Sequence, residues 1–260
     1  MSVETSSIAA NIEVVRERIR RAAGRAGRKP EEITLVAVAK TFPAESIRLA
    51  HAAGVRHFGE NRVQEWEQKQ PLVADLDAAW HLVGHLQSNK VSKAVRLFHA
   101  IDSLDSLPLA QKLDREVAGL GAPGGVGAQH HSTRHGGLGT RSVAGAATRL
   151  PVLIEVRLAP EETKSGVAEA GLPGLAEAVF ALPHVDLRGL MCLPPYFDDS
   201  KQARPYFRRL RELRDALALR LGRALPELSM GMSHDFEVAI EEGATQIRLG
   251  TAIFGSRAQK

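Results

Sequence analysis

A chain of 260 residues, 44% hydrophobic and 25% charged, has the make-up of a water-soluble globular protein, and no stretch is apolar for long enough to span a membrane. Its one cysteine, Cys192, excludes an internal disulfide framework and, with no signal-peptide pattern in the first residues, points to the cytoplasm. The net charge of +4 does not mark a nucleic-acid protein, because Arg134, Arg141 and Arg149 of one acid-free loop contribute +3 and leave +1 for the rest.

The recurrence of Ile8, Ile12, Val15 and Ile19 predicts a helix over about 7–23, closed by Gly24 and Gly27. Residues 33–40 form an apolar run without polar alternation, which reads as a buried strand ending in Lys40. A lysine placed so sits half desolvated at the rim of a sheet, where its amine can become a nucleophile; ending the strand in solvent is its plainer role. Pro43 opens the next helix and Gly54 closes it. Strands are then expected over 56–60, 80–84, 99–102, 152–157, 187–192, 228–231 and 246–250. Helices are expected over 63–69, 89–96 and 172–182. Three more follow from apolar stripes, one from Leu107 through Leu113 to Leu120, one from Phe207 through Leu213 to Leu221, and one of Phe236, Ala239 and Ile240.

Eight strands alternating with helices, after an extra N-terminal helix, is the pattern of a (β/α)8 TIM barrel forming one domain over 1–260. An open doubly wound sheet is the alternative, but it would want a glycine-rich turn where Lys40-Thr41-Phe42-Pro43 stands. The segment at about 121–149 is rich in Gly, Ala, His and Ser, with almost no large apolar side chain, and is expected to be a disordered insertion. On it, His130, His131 and His135 lack an acidic or cysteine partner and are expected to be solvated rather than metal-bound. Gly124-Gly125-Val126-Gly127 is followed by no periodic helix and is not a phosphate loop.

Barrels carry their reactive groups at the C-terminal ends of the strands. There this chain places Lys40, Gly59-Glu60-Asn61, His81 and the run from Gly84 to Lys90, Lys164-Ser165-Gly166, Met191, Gly231-Met232-Ser233 and Arg248-Leu249-Gly250-Thr251. Ser233, just before an amphipathic helix, is a natural N-cap; with Gly231 beside it, free N–H groups and the helix dipole also make a phosphate seat. Gly250 and Thr251 add further N–H groups. An aldehyde bearing a phosphate would satisfy both the seat and the lysine.

Leu35-Val36-Ala37-Val38-Ala39-Lys40-Thr41, Phe58-Gly59-Glu60-Asn61, Trp80-His81-Leu82-Val83-Gly84-His85-Leu86-Gln87-Ser88-Asn89-Lys90, Arg188-Gly189-Leu190-Met191, Leu228-Ser229-Met230-Gly231-Met232-Ser233 and Arg248-Leu249-Gly250-Thr251 resemble the pyridoxal phosphate homeostasis protein family. That family is a stand-alone barrel related to the N-terminal domain of alanine racemase. The likeness runs through nearly the whole chain in order; the long insertion, Arg62 and Phe236 depart from it, away from the presumed cofactor seat. It implies that Lys40 holds pyridoxal 5'-phosphate (PLP) as a Schiff base, a covalent aldimine. It further implies that Ser233 and the N–H groups around Gly250 and Thr251 hold the phosphate, and that Arg248 faces the pyridine nitrogen. Asn61 and Met191 would line the ring pocket, with Ser229 and Asn89 as supports.

An arginine can only donate to the ring nitrogen, which keeps that nitrogen unprotonated and disfavours carbanion chemistry. Related racemases use a tyrosine from another domain as a second base, whereas this chain has only Tyr196 and Tyr206, with no two-base arrangement visible. The expectation is a non-catalytic, monomeric PLP carrier and buffer, with apo-enzymes that need the cofactor as recipients and no nucleic acid, membrane or metal as partner. A PLP-dependent racemase-type enzyme of low activity is the alternative, and a cofactor-free, class I aldolase-like barrel acting through Lys40 is a third. Lys90, Lys93 and Lys164 are candidates for a second cofactor contact.

Overall fold

A computed structural model describes residues 3–120, 149–159 and 165–255. The expected insertion, with His130, His131, His135 and the Gly124–Gly127 run, lies outside the described residues but for Arg149; Lys164 lies outside them too. Eight parallel strands close into a ring, numbered 1 to 8 here: Thr34–Val38, His57–Glu60, Ala79–Leu82, Ala100–Leu104, Leu150–Arg157, Val185–Met191, Glu227–Ser229 and Gln246–Leu249. Closure comes where strand 8 pairs with strand 1, Thr34 beside Gln246, Leu35 beside Ile247 and Val36 beside Arg248. This ring rules out the open doubly wound sheet. A two-residue segment, Val167–Ala168, adds to the rim of strand 5 and escapes the sequence pattern, being too short to show a period.

Helices α1 to α9 are Val3–Arg25, Ala44–Ala52, Val63–Lys69, Val91–Leu97, Leu107–Leu120, Leu172–Phe180, Arg204–Leu221, Phe236–Glu241 and Thr251–Phe254. The helix after strand 8 is a single turn, too short to cover its strand. The long α1 takes up that place, packed against α2, α8 and α9. Asn11 Nδ2 donates to Ile253 O at 2.9 Å, Arg18 pairs with Glu237 at 2.9 Å, and Arg28 Nη1 donates to Ala244 O at 2.7 Å. The extra N-terminal helix is thus the eighth wall of the barrel.

Two regions alternate along every strand, because successive side chains point to opposite faces. Leu35, Ala37 and Ala39 join the apolar layer between strands and helices, with Phe58, Trp66, Phe98, Leu113 and Phe207. Val36 and Val38 face the lumen, where they crowd Gly59. Several strand ends differ from the sequence expectation by one or two residues. Strand 1 ends at Val38 rather than Lys40: Ala39 N–H still donates to Gly59 O at 2.9 Å, and then the chain turns through Thr41, whose φ is 66°. Strand 7 stops at Ser229 because Gly231, at φ 92°, breaks the extended run.

Candidate functional site

Lys40 lies two residues beyond strand 1, half-buried, with the same parity as Val36 and Val38. Around it the ring brings together residues from five consecutive strands. Met191 ends strand 6, Ser229 ends strand 7, Arg248 lies on strand 8, and Asn61 follows strand 2. Met191 and Ser229 stand side by side in register, both fully buried. Asn61 is held by the close approach of the next strand: a Cβ on Gly84 would come within 2.4 Å of the Asn61 carbonyl oxygen, so only glycine fits. Asn89, expected as a support, is exposed on a short turn before α4.

The loop after strand 7 departs from the expected cap. Helix α8 begins at Phe236, after Asp235, and Asp235 Oδ1 accepts from the Met232 N–H at 2.6 Å. Ser233 serves the neighbouring element: its hydroxyl oxygen accepts from the N–H groups of Gly250, at 3.3 Å, and Ala252, at 3.1 Å. Two backbone donors thus converge on one oxygen at the start of α9. Ala252 supplies one of them, while Thr251 stands exposed between. Gly231 makes the turn possible, since a Cβ there would lie 2.6 Å from that of Ala239. Phe236, one of the departures from the family pattern, packs its backbone against the same glycine and its ring under the Arg18 guanidinium, at 4.5 Å.

Arg248 is 4% exposed. Its Nη1 donates to Ser229 Oγ at 2.5 Å and its Nη2 to Cys192 O at 2.8 Å. Burial pushes its pKa down, against the opposing pull of Cys192, Asp102, Glu155 and Asp235, and an arginine starts so high that it stays charged. From Ser229 a chain of polar groups crosses the lumen. Gln246 Nε2 donates to Ser229 Oγ at 3.0 Å and to Asp102 Oδ2 at 2.5 Å. Asp102 faces His81 Nδ1 at 3.2 Å, and His81 Nε2 faces His57 Nδ1 at 3.1 Å. Burial lowers the His57 pKa to about 3, with His81 adding to the effect. At His81 burial works the same way, but the Asp102 charge and hydrogen bond outweigh it and leave the pKa raised. His81 thus sits between Asp102 on its Nδ1 side and His57 on its Nε2 side, and the Asp102 contact favours its charged form. Glu155, level with Met191, is pushed up to about 7 by burial, despite the pull of Arg248.

Beside the lysine turn, a cleft of about 820 Å³ opens over the ends of strands 2 and 3, lined by Asn61, Arg62, Glu65, His85 and Lys90 among others. Of the expected cofactor residues, Asn61 lines this cleft, with Arg62 beside it. Lys93 is exposed in an ion pair with Glu67 at 2.7 Å. Sequence reasoning missed Ala252 and the lumen groups Asp102, Gln246 and Glu155. For the three lumen groups the signal was present in alternation, each being a polar residue beside an apolar neighbour on its strand. Ala252 lies in α9 and contributes a backbone N–H, which no side-chain pattern marks.

The profile of the alanine racemase N-terminal domain family matches residues 3–258. The chain is 43% identical over 243 residues to the pyridoxal phosphate homeostasis protein of Aquifex aeolicus, covering 94% of this chain and 95% of that one. The chain belongs to the pyridoxal phosphate homeostasis protein family. A second family member, from Pseudomonas aeruginosa, is 44% identical over 252 residues, covering 97% and 96% of the two chains. Among solved structures, the family barrel is similar to PipY of Synechococcus elongatus with PLP bound, at TM-score 0.73 and 37% identity over 92% of this chain and all of that one. Alanine racemase from Corynebacterium glutamicum shares the fold, at TM-score 0.61 and 17% identity; 97% of the homeostasis-family chain aligns with 62% of that longer one. The family and the TIM barrel expected from the motifs are the ones found.

Proposed function

We propose that the protein binds PLP reversibly through the Lys40 amine and holds it as a buffer and carrier in the cytoplasm, as a monomer, releasing it to apo-enzymes without turnover of its own. The observation that carries this reading is the convergence of the Gly250 and Ala252 N–H groups on Ser233 Oγ, on a rim shared with Lys40 and the buried Arg248. The donor set fits the group: paired backbone donors for a phosphate, an amine for an aldehyde and a fixed cation for a pyridine nitrogen. Bound PLP supplies an aldehyde carbon and an electron-accepting ring.

The residues of the chain determine how that chemistry is used. Arg248 offers donors only, so a nitrogen held by it stays unprotonated and the ring is a weaker electron sink. Ser229 and the Cys192 carbonyl keep the guanidinium from swinging away. Cys192 itself is no competing nucleophile, since burial pushes its thiol up to about 12. Of the two tyrosines, Tyr196 is 75% exposed beside His234, and Tyr206 lies against the ring of Phe197. These positions favour holding over turnover.

Borohydride reduction of PLP-loaded protein, followed by peptide mass spectrometry, tests the assignment. The pyridoxyl mass is expected on the Lys40 peptide and to vanish in Lys40→Ala; its presence on another lysine only, such as Lys90, would overturn the reading. Chiral assay with L-alanine and L-serine tests the carrier role, which sustained racemisation on the order of 1 per second or faster would exclude.

A further inference from the structure

The turn that carries Lys40 is strained. Thr41 is the one non-glycine residue with positive φ among the described residues, and a β-branched side chain is poorly suited to that region. Something must hold the turn there. Beneath it lies a buried ionic cluster that the cofactor reading does not use. Lys69, at the end of α3, is 9% exposed, and Glu60, at the end of strand 2, is fully buried. Lys69 Nζ donates to Glu60 Oε1 at 2.6 Å and to Glu65 Oε1 at 3.0 Å. The same ammonium donates to Ala39 O at 3.0 Å and reaches Phe42 O at 3.4 Å, the carbonyls on either side of the Lys40-Thr41 pair. Glu65 Oε1 also accepts from the Thr41 N–H at 2.5 Å. One carboxylate oxygen therefore ties the strained residue to the ammonium that gathers its neighbours.

Burying the Lys69 ammonium and the Glu60 carboxyl, beside a Glu65 carboxylate that is only partly covered, is costly and adds little to stability over apolar groups of the same volume. A cluster of this kind is instead suited to fixing a geometry. The other side of the turn is fixed too: Phe42 stacks on Phe254 of α9, with ring centroids 4.9 Å apart, and α9 begins at the paired N–H groups on Ser233. The ion cluster and the stack thus flank the turn on two sides.

We propose that Glu65, Lys69 and Glu60 are positioning residues, which hold the Lys40 turn in its strained shape and so place the Lys40 amine over the seat. This rests on the reading of Lys40 as the cofactor-bearing amine. Through its backbone contacts, the cluster acts on the lysine without touching the cofactor.

The test uses the full chain with PLP. Wild type, Glu65→Ala, Glu65→Gln and Lys69→Met are compared for dissociation constant, for the pH midpoint of the visible absorbance of the lysine-bound cofactor, and for melting temperature without cofactor. Glu65→Ala and Lys69→Met are expected to weaken binding about tenfold, roughly 1.4 kcal/mol, and to move the pH midpoint. Glu65→Gln keeps an acceptor for the Thr41 N–H and is expected to stay within about twofold of wild type. If Lys69→Met does not fold, the Glu65 pair, at a carboxylate already partly open to solvent, carries the comparison. Labelled wild-type Lys40 with unmoved affinity and pH midpoint in Glu65→Ala overturns the positioning role alone, even if the melting temperature drops. Wild type without label on Lys40 overturns the cofactor reading and this inference together.

Discussion

The two faces of the barrel wall are built from the same strands but from different chemistry. Outside, between strands and helices, the filling is mainly apolar, with Ile12, Phe58, Trp66, Phe98, Leu113 and Phe207 all out of contact with water, and it is interrupted by the Glu60–Lys69 pair between strand 2 and α3. Inside, the lumen holds His81, Asp102, Glu155, Ser229, Gln246 and Arg248, joined mostly by hydrogen bonds. Apolar burial contributes free energy roughly in proportion to area and fixes no direction. Hydrogen-bonded polar groups add little net stability, but they set angles and distances, and they are costly when one partner is lost. The outer layer keeps the barrel closed; the inner one aims Arg248.

That contrast can be broken by substitution, first at its strongest point. Leu113→Ala, on α5 and far from the lysine rim, is expected to lower unfolding stability by about 3–4 kcal/mol in urea titrations and leave PLP affinity per folded molecule unchanged. A matching drop in affinity would show that the two regions are not separable. Asp102→Asn is expected to lower stability by about 2–3 kcal/mol at pH 6, and also to weaken PLP binding, because Gln246 and Ser229 lose their anchor beneath Arg248. The sign with pH follows from the raised His81 value. In wild type its stabilising contribution is complete below the ordinary pKa of 6.5 and is lost as pH rises through the folded value. In the variant burial prevails, so the NMR titration of His81 should move below 6.5.

Glu155→Gln gives the smallest effect and the sharpest test of the lumen. A carboxyl whose pKa rises from 4.5 to about 7 on folding stabilises below 4.5, and that contribution is lost as pH rises through 7. Wild type should therefore lose about 2 kcal/mol more between pH 5.5 and 8 than Glu155→Gln, measured by denaturation at both pH values. Equal losses would place Glu155 in an environment as wet as the surface.

Sequence alone settled the order and kind of the eight ring strands and of the helices from α1 to α8, since periods of 2 and 3.6 are properties of neighbouring residues. The short Val167–Ala168 and Thr251–Phe254 segments escaped it. It also named Lys40, Ser233 and Arg248, because chemistry-bearing residues at strand ends stand out in apolar runs. It overextended strand 1 through Lys40, where backbone strain at Thr41 ends the ladder earlier. What only the tertiary structure decided is pairing between distant residues. Ser233 accepts from Gly250 and Ala252 rather than capping its own helix, Gln246 reaches Asp102 across 144 positions, and Lys69 gathers the carbonyls beside Lys40. The physical reason is closure of the ring. The lumen and the rim exist only once strand 8 meets strand 1, so no local pattern records which polar groups will face each other there.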